Sequence, residues 1–548
     1  MKKLSLFSAT AIGISAIVGS GWLFASHLAA QVAGPLSLFS WFIGAALALV
    51  IALLLAEIAS IYQETGLLSR LFSLTHNRDY GFLIAASNWF VTIFLIPSEA
   101  AATVQYLSKS VPSISNYIFF QDQLTMAGTV LVCILICGYG LLNYWGVNLL
   151  ARINNTVTLV KLIAPAFVGI VIIFASFHPI NFTNFVANSS SSSSFGAGSV
   201  LKAVVSSGIF YAFYGFSMIA VFAKELENPK KNIPIALASS ILICLVIYLL
   251  LQVAFIGAVD PKIVAAGWQN LSFSSPLVDL SILLGLNWLS LILYTTATIS
   301  PSGSGIIYTA SGARMLYAMA ADKQMPSVFA NINPEFFVSR ASLLCTVILS
   351  MVLITIFNNW QQIVVVVTVF QLISCIAVPV AFIKLRQTQP DTVRVFKLPF
   401  GRTISFITYI ALTYLLTQCG SKALIFSFIA FAGFFLIYCV SFYKFSPIDT
   451  CKAFMSSWSL FVYIACLIPF GYLHDSNTLN TPKALIPFTF VSVIFYFLLI
   501  RQKSYNKELD KCDSFQDDKI HIQLEPKNGT MGTPQQTLKT CKVLKIFS

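Results

Sequence analysis

Ile17-Val18-Gly19-Ser20-Gly21-Trp22-Leu23-Phe24 lies in the middle of an apolar run that extends from Leu6 to Val32. A run of that length crosses a hydrocarbon core of about 30 Å, which takes about 20 residues at about 1.5 Å each. Glycine costs about 1 kcal/mol in a helix interior, and two of them flank Ser20 at mid-membrane. An unwound segment there frees amide and carbonyl groups that hydrocarbon cannot satisfy. Something polar has to meet them. A zwitterion suits both ends, because a half-helix N-terminus faces a carboxylate and the freed carbonyls face an ammonium. The competing reading is that Gly19 and Gly21 only let helices approach closely, as small residues do in membranes.

The rest of the chain is of the same kind. Its 548 residues are 57% hydrophobic and 10% charged, against about a quarter charged in an ordinary soluble domain. The apolar runs, such as 45–56 and 241–257, lack the polar alternation of barrel strands and read as helices. Spans are expected near 6–32, 36–61, 82–108, 124–144 and 153–176, then near 199–223, 233–258, 277–312, 340–357 and 361–385. Four more follow near 403–419, 423–443, 457–473 and 484–501, which makes fourteen, or twelve if two short late ones do not cross.

With the N-terminus inside, the 33 Lys and Arg fall on the cytoplasmic side except Lys109, Lys262, Lys422 and Lys483 opposite and Lys161 and Lys202 in or at spans. The net charge of +13 therefore reads as membrane topology and attraction to anionic lipid, and not as nucleic-acid binding. Met1-Lys2-Lys3 ahead of an apolar run imitates a secretory signal, but removing it would invert the charge bias of every later loop. The eleven cysteines show neither disulfide nor metal spacing, so no metal or other cofactor is expected.

The sixth span carries Tyr214-Gly215-Phe216 at a depth matching Gly19-Ser20-Gly21 in the first. Weak points five spans apart place two five-span units in opposite orientation, the pattern of an inverted-repeat carrier with its site between the broken helices. The units are then 1–176 and 199–386, joined by an external loop at 177–198 rich in serine; 387–501 holds the additional spans and 502–548 a polar cytoplasmic tail.

On this reading the amides of Ser20, Gly21 and Trp22 hold a carboxylate, and carbonyls near Ile17, Val18 and Phe210 accept from an amine. Phe210, Phe213 and Phe216 cover the substrate, beside Gly19 and Gly215. Lys161 interrupts the apolar fifth span, where a buried cation costs about 2.5–3.5 kcal/mol and marks function by default. Desolvation makes such a lysine able to lose and regain a proton; the alternative is one that snorkels or pairs structurally. Glu99, beside Pro97 in the third span, is a second buried ionisable group that pairs with Lys161, carries a proton, or serves a gate. Glu57 reads as an anchor or gate contact at the end of the second span. Ser300-Pro301-Ser302-Gly303-Ser304-Gly305 is expected to interrupt the eighth, lining the site or only kinking the helix.

Ile17 to Phe24, Ala56-Glu57-Ile58 and Glu227-Asn228-Pro229-Lys230-Lys231-Asn232-Ile233-Pro234 together resemble the amino acid, polyamine and organocation (APC) superfamily. Within it the chain is most similar to the bacterial aspartate-proton symporter group, through residues 19–25, Leu142-Asn143-Tyr144-Trp145, 252–258 and Ser300-Pro301. The resemblance implies an all-α integral membrane protein of the LeuT-like, five-plus-five inverted-repeat fold in a bacterial inner membrane, both termini cytoplasmic. It implies an amino acid substrate and a proton as coupling ion, and places Lys161 where sodium sits in sodium-coupled relatives. Many relatives carry a gating glutamate just after the sixth-span break, where this chain has Ser217.

The function expected is amino acid symport with a proton; the alternatives are amino acid exchange and an integral-membrane enzyme. For the enzyme, Ser304 is the one candidate nucleophile, but His76, His178, His474 and His521 fall in loops or tail and His27 near a span end, so it lacks a base. No ring of charge or carbonyls suggests a channel filter.

Overall fold

The computed structural model of the chain describes residues 3–502 except 63–66, 121–122, 146, 189–192, 337, 358–359, 444–445, 477 and 480. Most of the six-serine run and nearly all of the expected tail lie outside the described residues.

The expected first span is two helices, α1 (Leu6–Ile17) and α2 (Gly21–Ala33), parted by Val18, Gly19 and Ser20. Ser5 caps α1 by accepting from the Ser8 amide at 3.2 Å. Gly34, at φ 53°, takes the chain out of α2, and α3 (Ser37–Ile61) follows. Next come α4 (Leu67–Thr75), α5 (Arg78–Ser110), α6 (Pro112–Ile118), α7 (Met126–Tyr144) and α8 (Val147–Ala175). Asn77 caps α5 and Thr125 caps α7 through their side chains.

The sixth span is α9 (Ala197–Ser206), α10 (Ile209–Phe213) and α11 (Ser217–Val221), bent by 52° between Ala197–Ser206 and Ile209–Val221. The bend is at Gly208, φ 77°, and not at Tyr214-Gly215-Phe216, which tightens into a single 3-10 turn. Gly208 takes a left-handed conformation that other residues adopt only with strain. Gly215 is small for another reason: a Cβ there would lie 2.3 Å from the Ala16 carbonyl carbon, so the sixth span touches the first backbone to backbone.

Then follow α12 (Pro229–Ala258), α13 (Pro261–Val264), α14 (Pro276–Leu283), α15 (Asn287–Ala321), α16 (Arg340–Ile356) and α17 (Trp360–Thr388). Last come α18 (Gly401–Thr417), α19 (Ser421–Tyr443), α20 (Pro447–Asp475) and α21 (Pro482–Arg501). The expected interruption at Ser300-Pro301 is absent, and α15 runs unbroken past the proline. Thr298 and Ser302 hydroxyls donate to the Tyr294 and Thr298 carbonyls, at 2.9 and 2.8 Å, within the same turns. Two small antiparallel pairs, Phe119–Phe120 with Gln123–Leu124 and Val186–Asn188 with Ser193–Ser194, are the β structure among the described residues.

Among the described residues nine helices are long and apolar enough to cross a bilayer, ten if the bent pair counts as one span. The expected fourteen is not reached by that measure. The first span is broken into 12 and 13 residues, α16 and α18 have 17 residues each, and α15 is diluted by Ser, Thr and Gly. Residues 21–61 count as one run, although Gly34 breaks them and a straight helix of that length would be about 60 Å.

α1 packs against α8, α12, α15 and the 214–216 turn; α5 lies along α15 and α17 and is buried almost throughout. Outward residues such as Phe174, Leu291 and Ile486 are exposed and apolar, as a lipid-facing surface requires. The first and sixth spans are stapled at their ends: Leu4 donates to the Glu225 carbonyl and accepts from the Glu227 amide, both at 2.8 Å. Glu57 is buried and bound by Arg386 at 2.7 and 2.9 Å, by Arg394 at 3.3 Å and by the Leu398 amide at 2.7 Å. Asp79, at the start of α5, accepts from Tyr438 of α19 and Ser456 of α20 at 2.9 and 2.7 Å.

Candidate functional site

The break in the first span is where the chemistry gathers. Lys161, on α8 and 1% exposed, donates to the Ser15 carbonyl at 2.6 Å and to Ser304 Oγ at 2.7 Å. Ser304 Oγ itself donates to Ser15 O at 2.6 Å. Gly303 makes room for the lysine, since a Cβ there would lie 2.9 Å from Lys161 Cε. Tyr308 donates to Ala16 O at 2.6 Å, Tyr248 to Ile17 O at 2.8 Å and Ser300 to Val18 O at 2.9 Å. The carbonyls of residues 15–18 thus each have a donor from α8, α12 or α15. A carbonyl has two lone pairs; Ile17 O also accepts from the Gly19 amide at 2.9 Å and Val18 O from Ser304 Oγ at 3.4 Å, so both are filled in this structure.

The other side of the break faces α5. Glu99, 1% exposed, accepts from the Ser20 amide through Oε2 at 2.6 Å and from Tyr211 Oη through Oε1 at 3.0 Å. A Cβ on Gly19 would stand 2.5 Å from Glu99 Oε1, so this glycine is what admits the carboxylate. Lys161 and Glu99 form no ion pair; each holds a different face of one unwound strand of backbone. Gly21 and Trp22, in the first turn of α2, have amides with no intrahelical acceptor. Trp22 Nε1 donates to Ser300 Oγ at 3.1 Å, and Gly21 lies against Ala212, where a Cβ would stand 3.0 Å from the alanine Cβ.

The phenylalanines of the sixth span are all buried, but they do not converge. Phe213 packs edge-on to Trp41 and Tyr248, with ring centroids 5.9 and 5.4 Å apart. Phe216 and Ser217 line a small cavity with Asn88, Tyr214 and Ser374, and Ser217 Oγ donates to the Tyr214 carbonyl at 2.9 Å.

The residue between them that reaches the break is Tyr211. Its hydroxyl also meets Ser98 Oγ at 2.8 Å and Ser20 Oγ at 3.3 Å. Trp360, at the start of α17, donates to Ser20 Oγ at 2.9 Å and lies over Phe24 with ring centroids 4.5 Å apart. Tyr211, Tyr248, Tyr308 and Trp360 are absent from the sequence reading. In an apolar run an aromatic residue reads as core, and only the pairing of its polar tip with a freed peptide group sets it apart. Among the described residues no group of three or more His, Cys, Asp or Glu is placed to hold a metal ion.

A family model described as amino acid permease matches residues 4–467. Over 400 residues the chain is 38% identical to the glutamate/serine transporter AimA of Bacillus subtilis strain 168, covering 72% of this chain and 74% of that one. Over 509 residues it is 32% identical to the aspartate-proton symporter of the same organism, covering 90% and 95%. A solved manganese transporter of Eremococcus coleocola superposes with a TM-score of 0.51 at 15% identity, covering 86% of this chain and 95% of that one, a likeness of fold alone. Fold and relatives define a multi-pass membrane transporter, not an enzyme. The chain belongs to the amino acid permease family, to which the motifs at 17–24, 56–58 and 227–234 also point.

Proposed function

We propose that this protein carries an amino acid across the cytoplasmic membrane in symport with a proton, by alternating access around the broken first and sixth spans. The observation that carries the reading is Lys161, wholly buried and holding the carbonyl of Ser15 where the first span unwinds. A lysine there stabilises the break when protonated and releases Ser15 and Ser304 when neutral, which ties the geometry of the first span to a proton. The amides of Ser20, Gly21 and Trp22 receive the substrate carboxylate; Ile17 and Val18 offer carbonyls to its ammonium in place of the hydroxyl donors they hold here, beside Gly19. Phe210, Phe213, Gly215 and Phe216 form the sixth-span wall, Glu99 carries a second proton-sensitive charge, and Ser217 stands in the gate.

The architecture that goes with this function is a five-plus-five inverted repeat, 1–176 and 199–386, with additional spans in 387–501, fourteen crossings in all and both termini cytoplasmic. The aspartate-proton symporter relative supports proton coupling, and the glutamate/serine relative supports a small polar or acidic substrate.

The test is uptake of an amino acid panel by purified protein in proteoliposomes, with and without an inward proton gradient, beside Lys161→Ala. Accumulation of one or more amino acids that requires the gradient, and that is lost in the variant, is the expected result. Uptake indifferent to the gradient but dependent on internal amino acid would make the protein an exchanger.

A further inference from the structure

The amide of Ser20, which the reading above assigns to the substrate, already has a carboxylate on it. Glu99 Oε2 lies 2.6 Å from that nitrogen, and Gly19 is bare where the carboxylate rests. We propose that Glu99 is a tethered stand-in for the α-carboxylate of an amino acid: it holds the Ser20 amide until a proton neutralises it, and the same amide then passes to the substrate. Proton binding and substrate binding become one event on one N–H group. The proposal rests on the substrate site assigned above.

The hydrogen bonds around Glu99 have a direction. An indole nitrogen only donates, so Trp360 gives its hydrogen to Ser20 Oγ, leaving the serine hydroxyl's own hydrogen for Tyr211 Oη. The tyrosine hydrogen then goes to Glu99 Oε1. Two donors, one from the break in the first span and one from the sixth span, converge on one carboxyl group, an arrangement that suits the ionised, acceptor-only form. The proton comes from the aqueous side then open, settles on a carboxyl oxygen, and converts a charge-assisted bond to the Ser20 amide into a neutral, weaker one. Tyr211, backed by Ser98, keeps the neutral acid in place, so that it returns to the amide once substrate and proton have left.

The titratable groups facing Glu99 come from five elements: Lys161 of α8, Tyr211 of α10, Tyr139 of α7, Tyr248 of α12 and Tyr308 of α15. Lys161 lies across the same stretch of backbone, on Ser15 O. Any proton taken by Glu99 is therefore coupled to the state of the lysine, and a variant of Glu99 itself is needed to separate them.

The experiment measures the affinity of full-length protein in lipid nanodiscs for L-serine, L-glutamate and L-aspartate from pH 5 to pH 9, for the wild type, Glu99→Gln and Glu99→Ala. In the wild type, affinity is expected to fall about tenfold per pH unit once the carboxyl ionises, with one proton taken up per amino acid bound. Both variants are expected to show a flat profile. Difference infrared spectra on adding L-serine at alkaline pH are expected to gain a protonated-carboxyl band that Glu99→Gln lacks. A variant that keeps the wild-type slope overturns the proposal. So does Glu99→Gln that melts as the wild type does yet binds at no pH, because Glu99 would then be part of the substrate's own surface. Wild-type binding with no pH dependence defeats the stand-in alone, whereas no binding of any of the three amino acids defeats the substrate reading beneath it.

Discussion

Lys161 is legible in the sequence because a single cation interrupts an apolar run, and its burial then demands a partner; that the partners are Ser15 O and Ser304 Oγ is a matter of tertiary geometry alone. The glycines are half legible. Gly19, Gly21 and Gly215 stand out by their cost, but the sequence does not tell a glycine that unwinds a helix from one that lets something approach it. Gly19→Ala is expected to push the Glu99 carboxylate off the Ser20 amide, since the new methyl would stand 2.5 Å from its oxygen; initial uptake rates at the wild-type pH optimum will show it as a loss of at least about tenfold. Tyr248→Phe takes one of the donors from the Ile17 carbonyl, a change worth about 1 kcal/mol. The expected signature is a fall in melting temperature with uptake still measurable, and a fully dead but wild-type-stable variant would give the hydroxyl a more direct part.

At the scale of helices, the long apolar runs are readable as helices, while the places where they break are not. The expected 277–312 divides into α14 and an α15 that runs on to Ala321, and α20 starts ten residues ahead of 457. Pro301 announces an interruption, yet α15 stays whole, packed along α5, α8 and α16. Gly208 announces nothing and makes the sharpest turn of the sixth span. Gly208→Ala forces a methyl-bearing residue to φ 77°, which costs about 1–2 kcal/mol, and should lower thermal stability by that amount in a detergent melt. The second span is pinned to the tenth by Glu57, whose carboxylate receives Arg386, Arg394 and a backbone amide. Glu57→Gln leaves two guanidinium groups short of their counter-charge, at a cost of about 3 kcal/mol, the lower end for a broken buried pair because Arg386 is 15% exposed. A melting temperature unchanged from the wild type would mean that water replaces the carboxylate there.

Over the whole molecule, the distribution of Lys and Arg sets an orientation that packing cannot. On the fourteen crossings proposed above, phosphatase fusions within 177–198 are expected to be active and fusions after Gln502 inactive; the reverse pattern would turn the protein over. The late helices are part of the same body, because Asp79 ties α19 and α20 to the start of α5. Their interdependence was not visible in the chain, where each reads as one more hydrophobic segment. The pairing of Leu4 with Glu225 and Glu227 reaches the laboratory bench as well. An affinity tag spliced just ahead of Leu4 would lean on a joint between the first and sixth spans, so its bulk would masquerade as a defective carrier.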